Sequence, residues 1–169
     1  TLAVGGQVIR IDAHDGPVGE LHLPLHGAHQ AHNAALAVAA VEAFLGETGL
    51  APQVIQDGFD EVRSPGRLEV VRRSPTIVLD AAHNPHGARA AAEALEEAFG
   101  LDPLVVVFAV MRDKDADEML RIWDERAAEV VVTRVAGTDR GLPVDELAEQ
   151  AEGIFGAARV HRAERLDDA

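Results

Sequence analysis

The stretch Thr76-Ile77-Val78-Leu79-Asp80-Ala81-Ala82-His83-Asn84-Pro85-His86-Gly87 decides the fold. Thr76 to Leu79, apolar but for the threonine, reads as a strand covered on both faces, as strands of parallel α/β sheets are. A helix follows: Asn84 is a good N-cap and Pro85 suits the first helical position. Between them, Asp80 to His83 lie beyond the carboxyl end of the strand, where open α/β sheets bind ligands. Asp80 can accept hydrogen bonds from sugar hydroxyls, and His83 can donate to an anion or carboxylate. The competing reading is a capped turn, with Asp80 bonded to backbone amides.

The pattern repeats on the C-terminal side. Leu104-Val105-Val106-Val107-Phe108 is a second apolar run. Strands are expected at 68–72, 76–80, 104–110 and 129–133, with a weak one at 158–161. Helices are expected at 86–99, 115–127 and 144–153. This alternation predicts a Rossmann-like α/β domain with a mainly parallel sheet flanked by helices. Met111-Arg112-Asp113-Lys114-Asp115 follows the second apolar run. Of 15 basic residues, Lys114 is the single lysine, the rest being arginine. It reads either as a local ion-pair hinge between two acids or as an anion contact. Asp115 or Asp117 can cap the next helix.

On the N-terminal side the pattern differs. Residues 2–11 and 18–25 alternate as strands around the turn Asp12-Ala13-His14-Asp15-Gly16-Pro17. An Ala-rich helix runs from about His29 to Leu45, and a shorter one from Ala51 to Val62. Ser64-Pro65-Gly66-Arg67 breaks both kinds of pattern and marks a boundary. An Arg on such a turn can reach phosphate with a planar fork, or stand exposed at the surface. His22, His26, His29 and His32 cluster in sequence. His29 and His32 share a helix face at metal-ligand spacing, yet no acid nearby completes a set. The alternative is a polar helix entrance in which Gln30 and Asn33 offer amides to a ligand or to backbone.

Composition sets the limits. The chain has 169 residues, a net charge of −14 and no cysteine. The charge disfavours nucleic-acid binding. Thiol catalysis, zinc–cysteine sites and disulfides are excluded. The lysine is followed by Asp115, so no P-loop is present. With Ser64 and Ser74 the only serines, a serine nucleophile is not expected. The most apolar helical stretch, Ala34 to Leu45, is too short to span a membrane.

Four segments in this order resemble the Mur ligase superfamily: Gly27-Ala28-His29-Gln30-Ala31-His32-Asn33-Ala34-Ala35, Ser64-Pro65-Gly66-Arg67-Leu68-Glu69, Asp80-Ala81-Ala82-His83-Asn84-Pro85 and Met111-Arg112-Asp113-Lys114-Asp115. The His-Gln before Asn-Ala-Ala and the Ala-His-Asn-Pro loop resemble its folylpolyglutamate synthase/dihydrofolate synthase branch. The resemblance implies the C-terminal tail of an ATPase domain over 1–63, a linker at 64–67 and a truncated Mur-ligase C-terminal domain over 68–169. It implies a cytoplasmic enzyme that uses ATP and Mg2+ to join L-glutamate to a folate or dihydropteroate carboxylate through an acyl phosphate. By the same resemblance Asn33 contacts adenine, Arg67 binds phosphate and Asp80 holds the ribose. His83 lies near nucleotide and glutamate, and Lys114 sits in a recurring motif. The P-loop domain and magnesium ligands of that family lie upstream, so this chain alone is expected to be inactive. Alternatives are another Mur-type amino-acid ligase or a non-catalytic nucleotide-binding module.

Overall fold

The computed structural model describes every residue except Thr1, Val4 and Glu47, and only the backbone of Leu2 and Ala3. The chain forms two compact units. One comprises residues 1–81 with 97–99, the other 82–96 with 100–169.

The first unit begins with three antiparallel strands, β1 (Leu2–Ala3), β2 (Gly6–Ala13) and β3 (Gly16–Leu23). Alternation, reset by an irregularity in the β2–β3 register between Ile9 and Ile11, puts Ile9, Ile11, Val18, Leu21 and Leu23 on one face. That face packs on α1 (Ala28–Phe44) and α2 (Pro52–Asp60), through Ala34, Val38, Ile55 and Phe59. The other face is polar, with Arg10 paired to Glu20 at 2.7 Å. The free edge of β3 is held by a side chain: the Gln56 amide both accepts from the His22 N–H (2.8 Å) and donates to the His22 carbonyl (3.0 Å).

One charged residue lies inside. Glu42 is buried on α1, and its carboxylate accepts from the backbone N–H groups of His14 (3.0 Å) and Leu50 (3.1 Å). It therefore pins the β2–β3 turn and the loop after α1 with charge-assisted bonds.

The segments expected as strands at 68–72 and 76–80 form β4 (Glu69–Arg73) and β5 (Thr76–Leu79). They pair antiparallel as a two-stranded hairpin and do not extend the parallel sheet. Ile77 and Leu79 are 40% and 48% exposed, so the apolar run is not covered on both faces. An apolar run demands burial but does not name the neighbour, and the two-residue connection Ser74-Pro75 favours the local antiparallel partner.

The second unit is the α/β part. Strands β6 (Val105–Phe108), β7 (Glu129–Val132) and β8 (Val160–Arg162) form a parallel sheet in that order. Helices α3 (Pro85–Phe99, its last three residues in the first unit), α4 (Ala116–Asp124) and α5 (Val144–Phe155) intervene. The α5 helix packs on β7, β8 and α4. Met119, Leu120, Ile122, Val130, Val132, Leu147, Ala148 and Ala151 are almost fully buried. As the edge strand, β6 buries Phe108 but leaves Val105 and Val107 half exposed. Arg159 stitches the unit together. It donates to Asp124 (2.8 Å) and to the Ala127 and Ala128 carbonyls (2.6 and 2.9 Å), and lies 4.8 Å over the Phe155 ring.

Candidate functional site

Arg67 is presented by an unusual turn. It stands between Gly66 (φ 67°) and Leu68 (φ 49°), both left-handed. For a branched, fully buried residue such as Leu68 this conformation costs about 1–2 kcal/mol. Two contacts hold it. The Asp80 carboxylate accepts from the Leu68 N–H at 3.0 Å, and the Gly66 carbonyl accepts from the Ala81 N–H at 2.8 Å. Glu69 adds a third by accepting from the Gly66 N–H at 2.8 Å. Arg67 is thus left exposed on an over-determined backbone. Asp80 is also exposed, and one of its oxygens makes the backbone bond that the capped-turn reading foresaw.

Arg67 lines a cleft of about 960 Å³ within the first unit. Arg63, Arg73, His22 and His26 line it too, against Asp60 and Glu69. In a chain of net charge −14 this is a locally cationic surface. Of these three arginines the sequence pointed to Arg67 alone. Arg63 and Arg73 carry no local motif, and only the folded hairpin places them here. The His26 ring stacks tilted on Phe99, with centroids 4.8 Å apart, and its Nδ1 is buried without a partner among the described residues. Burial lowers its pKa below the usual histidine value.

Asn33 is exposed on α1 and donates to Gln30 Oε1 at 3.3 Å. Buried Gln30 sits one turn before it. Gln7 donates to the Leu25 and Gly27 carbonyls, both at 2.9 Å, and so fixes the chain entering α1. Among the described residues no three His, Cys, Asp or Glu side chains gather to hold a metal.

In the second unit, His83 is exposed in the loop before α3. Asn84 caps that helix as expected, accepting from the Gly87 N–H at 2.7 Å. Asp115 caps α4, accepting from the Glu118 N–H at 3.1 Å. Arg89 and Glu118, 3.3 Å apart, tie the first turns of α3 and α4 together. His83 and Lys114 therefore each precede the N-terminus of one of two joined helices, where positive dipole ends favour anions.

Lys114 pairs with Asp113 at 3.0 Å and is one-third exposed. The Lys114 ammonium beside Asp113 holds its carboxyl below the usual range. Arg140 approaches the same carboxylate at 3.8 Å, and the Arg112 N–H donates to the Arg140 carbonyl at 3.0 Å. Arg140 is the member of this group that the sequence did not reveal. It lies more than twenty residues away, and only the antiparallel bridge between Met111 and Gly141 brings it in.

Comparison with known proteins gives this geometry a context. The family described as Mur ligase, glutamate ligase domain, matches residues 66–169. The chain belongs to that family. The matched segment of this Mur ligase chain starts at Gly66, beside Arg67. A dihydrofolate synthase/folylpolyglutamate synthase of Mycobacterium tuberculosis is 47% identical, across 99% of this chain and 35% of that protein. The structure of the Mycobacterium tuberculosis folylpolyglutamate synthase complexed with ADP has a TM-score of 0.94 at 46% identity, covering 99% of this chain and 37% of that one. A folylpolyglutamate synthase complex with AMPPCP and folate has a TM-score of 0.72 at 30% identity, covering 96% and 40%. The chain spans about a third of the length of the Mycobacterium tuberculosis relative and of a Lacticaseibacillus casei folylpolyglutamate synthase.

Proposed function

We propose that this Mur ligase chain is part of a folylpolyglutamate synthase/dihydrofolate synthase. That enzyme joins L-glutamate to a folate or dihydropteroate carboxylate at the expense of ATP, in the cytoplasm. The observation that carries the reading is the likeness, over nearly the whole chain, to a folylpolyglutamate synthase complexed with ADP. The folate in a second similar complex supports the acceptor class.

In this reading a carboxylate oxygen of the pteroate or folate attacks the γ-phosphorus of ATP. The β–γ bridging bond breaks, giving an acyl phosphate and ADP. The glutamate amine then adds to the acyl carbon, and the tetrahedral adduct expels phosphate, forming the amide. Charge builds first on the transferring phosphoryl group and then on the tetrahedral oxygen. Fixed cations and donors lower such barriers.

Arg67, held on its strained turn, offers a planar fork to phosphate without reorganisation. Asp80 accepts from the ribose hydroxyls. Asn33 reads the adenine with its amide. His83 and Lys114, each before a helix N-terminus, serve the nucleotide and the anionic incoming glutamate. The remainder of the ligase, with its P-loop, forms the rest of the ATP site. The described residues of this chain do not assemble a magnesium site.

Steady-state kinetics of the full-length ligase test these roles. Arg67→Ala is expected to lower kcat by about 10²–10³ (roughly 2.7–4 kcal/mol), with a smaller rise in KM for ATP. Arg67→Lys is expected to recover only part of that, because a point charge cannot replace the fork. Asp80→Asn keeps an acceptor for the Leu68 N–H and is expected to act mainly on KM for ATP. Asp80→Ala releases the Arg67 turn as well and is expected both to lower kcat and to raise KM for ATP. An unchanged kcat in Arg67→Ala refutes the assignment.

A further inference from the structure

The arginines of the second unit fall into two groups. Arg89, Arg121, Arg126, Arg159, Arg162 and Arg165 each have a carboxylate oxygen within 3.3 Å. Arg112, Arg134 and Arg140 do not. Among the described residues, Arg112 and Arg140 approach a carboxylate no closer than 3.8 Å, and Arg134 has no ion pair. These three stand with Lys114 in the loops 109–115 and 133–143, which leave the carboxyl ends of β6 and β7. In parallel α/β sheets that edge receives ligands. In a chain of net charge −14, the arginines left without a close carboxylate are those at the ligand edge.

Arg140 is the one fixed beside Lys114. Backbone bonds join the two loops. The Arg112 N–H donates to the Arg140 carbonyl at 3.0 Å, and the Leu142 N–H donates to the Val110 carbonyl at 2.8 Å. The Arg140 N–H donates in turn to Thr138 Oγ1 at 3.1 Å. The main chain at Arg140 is therefore tied down, while its side chain is 75% exposed. Asp113 sets the spacing of the two cations. One of its oxygens takes the Lys114 ammonium at 3.0 Å, and the other faces the Arg140 guanidinium at 3.8 Å. Asp115 is engaged with the Glu118 N–H as the cap of α4, and Asp139 is exposed. Two cations on one carboxylate leave a positive charge unbalanced.

We propose that Arg140 holds one of the two carboxylates of the incoming L-glutamate, with Lys114 on the other, and so makes the ligase select a dicarboxylic amino acid. This deepens the ligase reading above and rests on it. The amine that attacks the acyl carbon is neutral, so glutamate then presents two negative charges and no positive one. One ammonium matches one of them, and an anion taken from water without a partner is costly. A guanidinium supplies the second match, with parallel N–H donors that fit a carboxylate. Arg140 loses little in turning to the substrate, because its hold on Asp113 is long.

The test is steady-state kinetics of the full-length ligase at saturating ATP and folate. The amine substrates are L-glutamate, L-glutamine and the α-amide of L-glutamate, each amide lacking one carboxylate. Arg140→Ala is expected to raise KM for L-glutamate by about tenfold or more, with KM for ATP within about twofold. It is also expected to narrow the preference for L-glutamate over one of the amides by about tenfold, and to leave the preference over the other unchanged. A merely structural role would weaken all three amines alike. Arg140→Lys is expected to recover part of the loss. Arg121→Ala, which breaks an exposed pair with Asp117, is the control and is expected to keep KM for L-glutamate within about twofold. If Arg140→Ala does not accumulate as folded protein, Arg140→Gln is read in the same way. An unchanged KM for L-glutamate overturns the proposal, and so does a preference altered against both amides or against neither. A wild-type protein with no glutamate-dependent ADP formation refutes the ligase reading and this assignment with it. A glutamate-dependent wild type with an unaltered Arg140→Ala variant refutes the assignment alone.

Discussion

Helices α1 and α5 solve opposite problems. The α5 helix buries Val144, Leu147, Ala148, Ala151 and Phe155 and turns Asp145, Glu146, Glu149 and Gln150 outward. Its outward side is made for water. The α1 helix buries a carboxylate and turns its apolar residues outward. Burying Glu42 stabilises only because both oxygens accept from backbone donors that would otherwise lack partners. The difference teaches that the two helices are finished to different degrees. The α5 helix is finished against its own unit, whereas α1 presents a face that water does not satisfy.

The largest expected effect separates the two helices by one comparable substitution in each. Glu42→Ala leaves the His14 and Leu50 N–H groups without an acceptor and is expected to destabilise by about 2–4 kcal/mol. Glu149→Ala, on the outward side of α5, is expected to stay within about 0.5 kcal/mol. Urea denaturation of both variants measures the gap. Equal effects would abolish the contrast between the helices.

A smaller effect concerns pH. His26 in the folded protein titrates below its unfolded value, because burial disfavours the imidazolium. The unfolded state therefore binds more protons over that interval, and stability falls as pH drops below the ordinary histidine pKa of about 6.5. The loss ends once pH is below the folded value. The first unit is expected to show this acid sensitivity, and His26→Asn to flatten it. A urea midpoint independent of pH from 7.5 to 5.5 in the wild type would contradict the role given to buried His26.

Local signals were readable and distant ones were not. The Asn84-Pro85 start of α3 and the Asp115 cap of α4 follow from chemistry within three residues. The order of strands and helices followed from periodicity in the same way. The resemblance named the family, and with it Asn33, Arg67, Asp80, His83 and Lys114. What was hidden depends on residues far apart in sequence or on backbone angles that no motif announces. Asp80 reaches the Leu68 N–H twelve positions earlier, and a leucine at φ 49° gives no sequence cue. The pairing of β4 with β5 was hidden because an apolar run specifies burial and not a partner. Glu42 read as a charge in a short apolar helix, and nothing local showed that it points inward.

The central claim is that this chain serves a ligase working through an acyl phosphate. Isotope transfer tests it most directly. Folate or dihydropteroate labelled with 18O in its reacting carboxylate is turned over by the full-length ligase with ATP and L-glutamate, and the phosphate released is analysed by mass spectrometry. The account predicts one labelled oxygen in phosphate for each amide formed, with ADP as the nucleotide product. Phosphate free of label, or AMP in place of ADP, would contradict it.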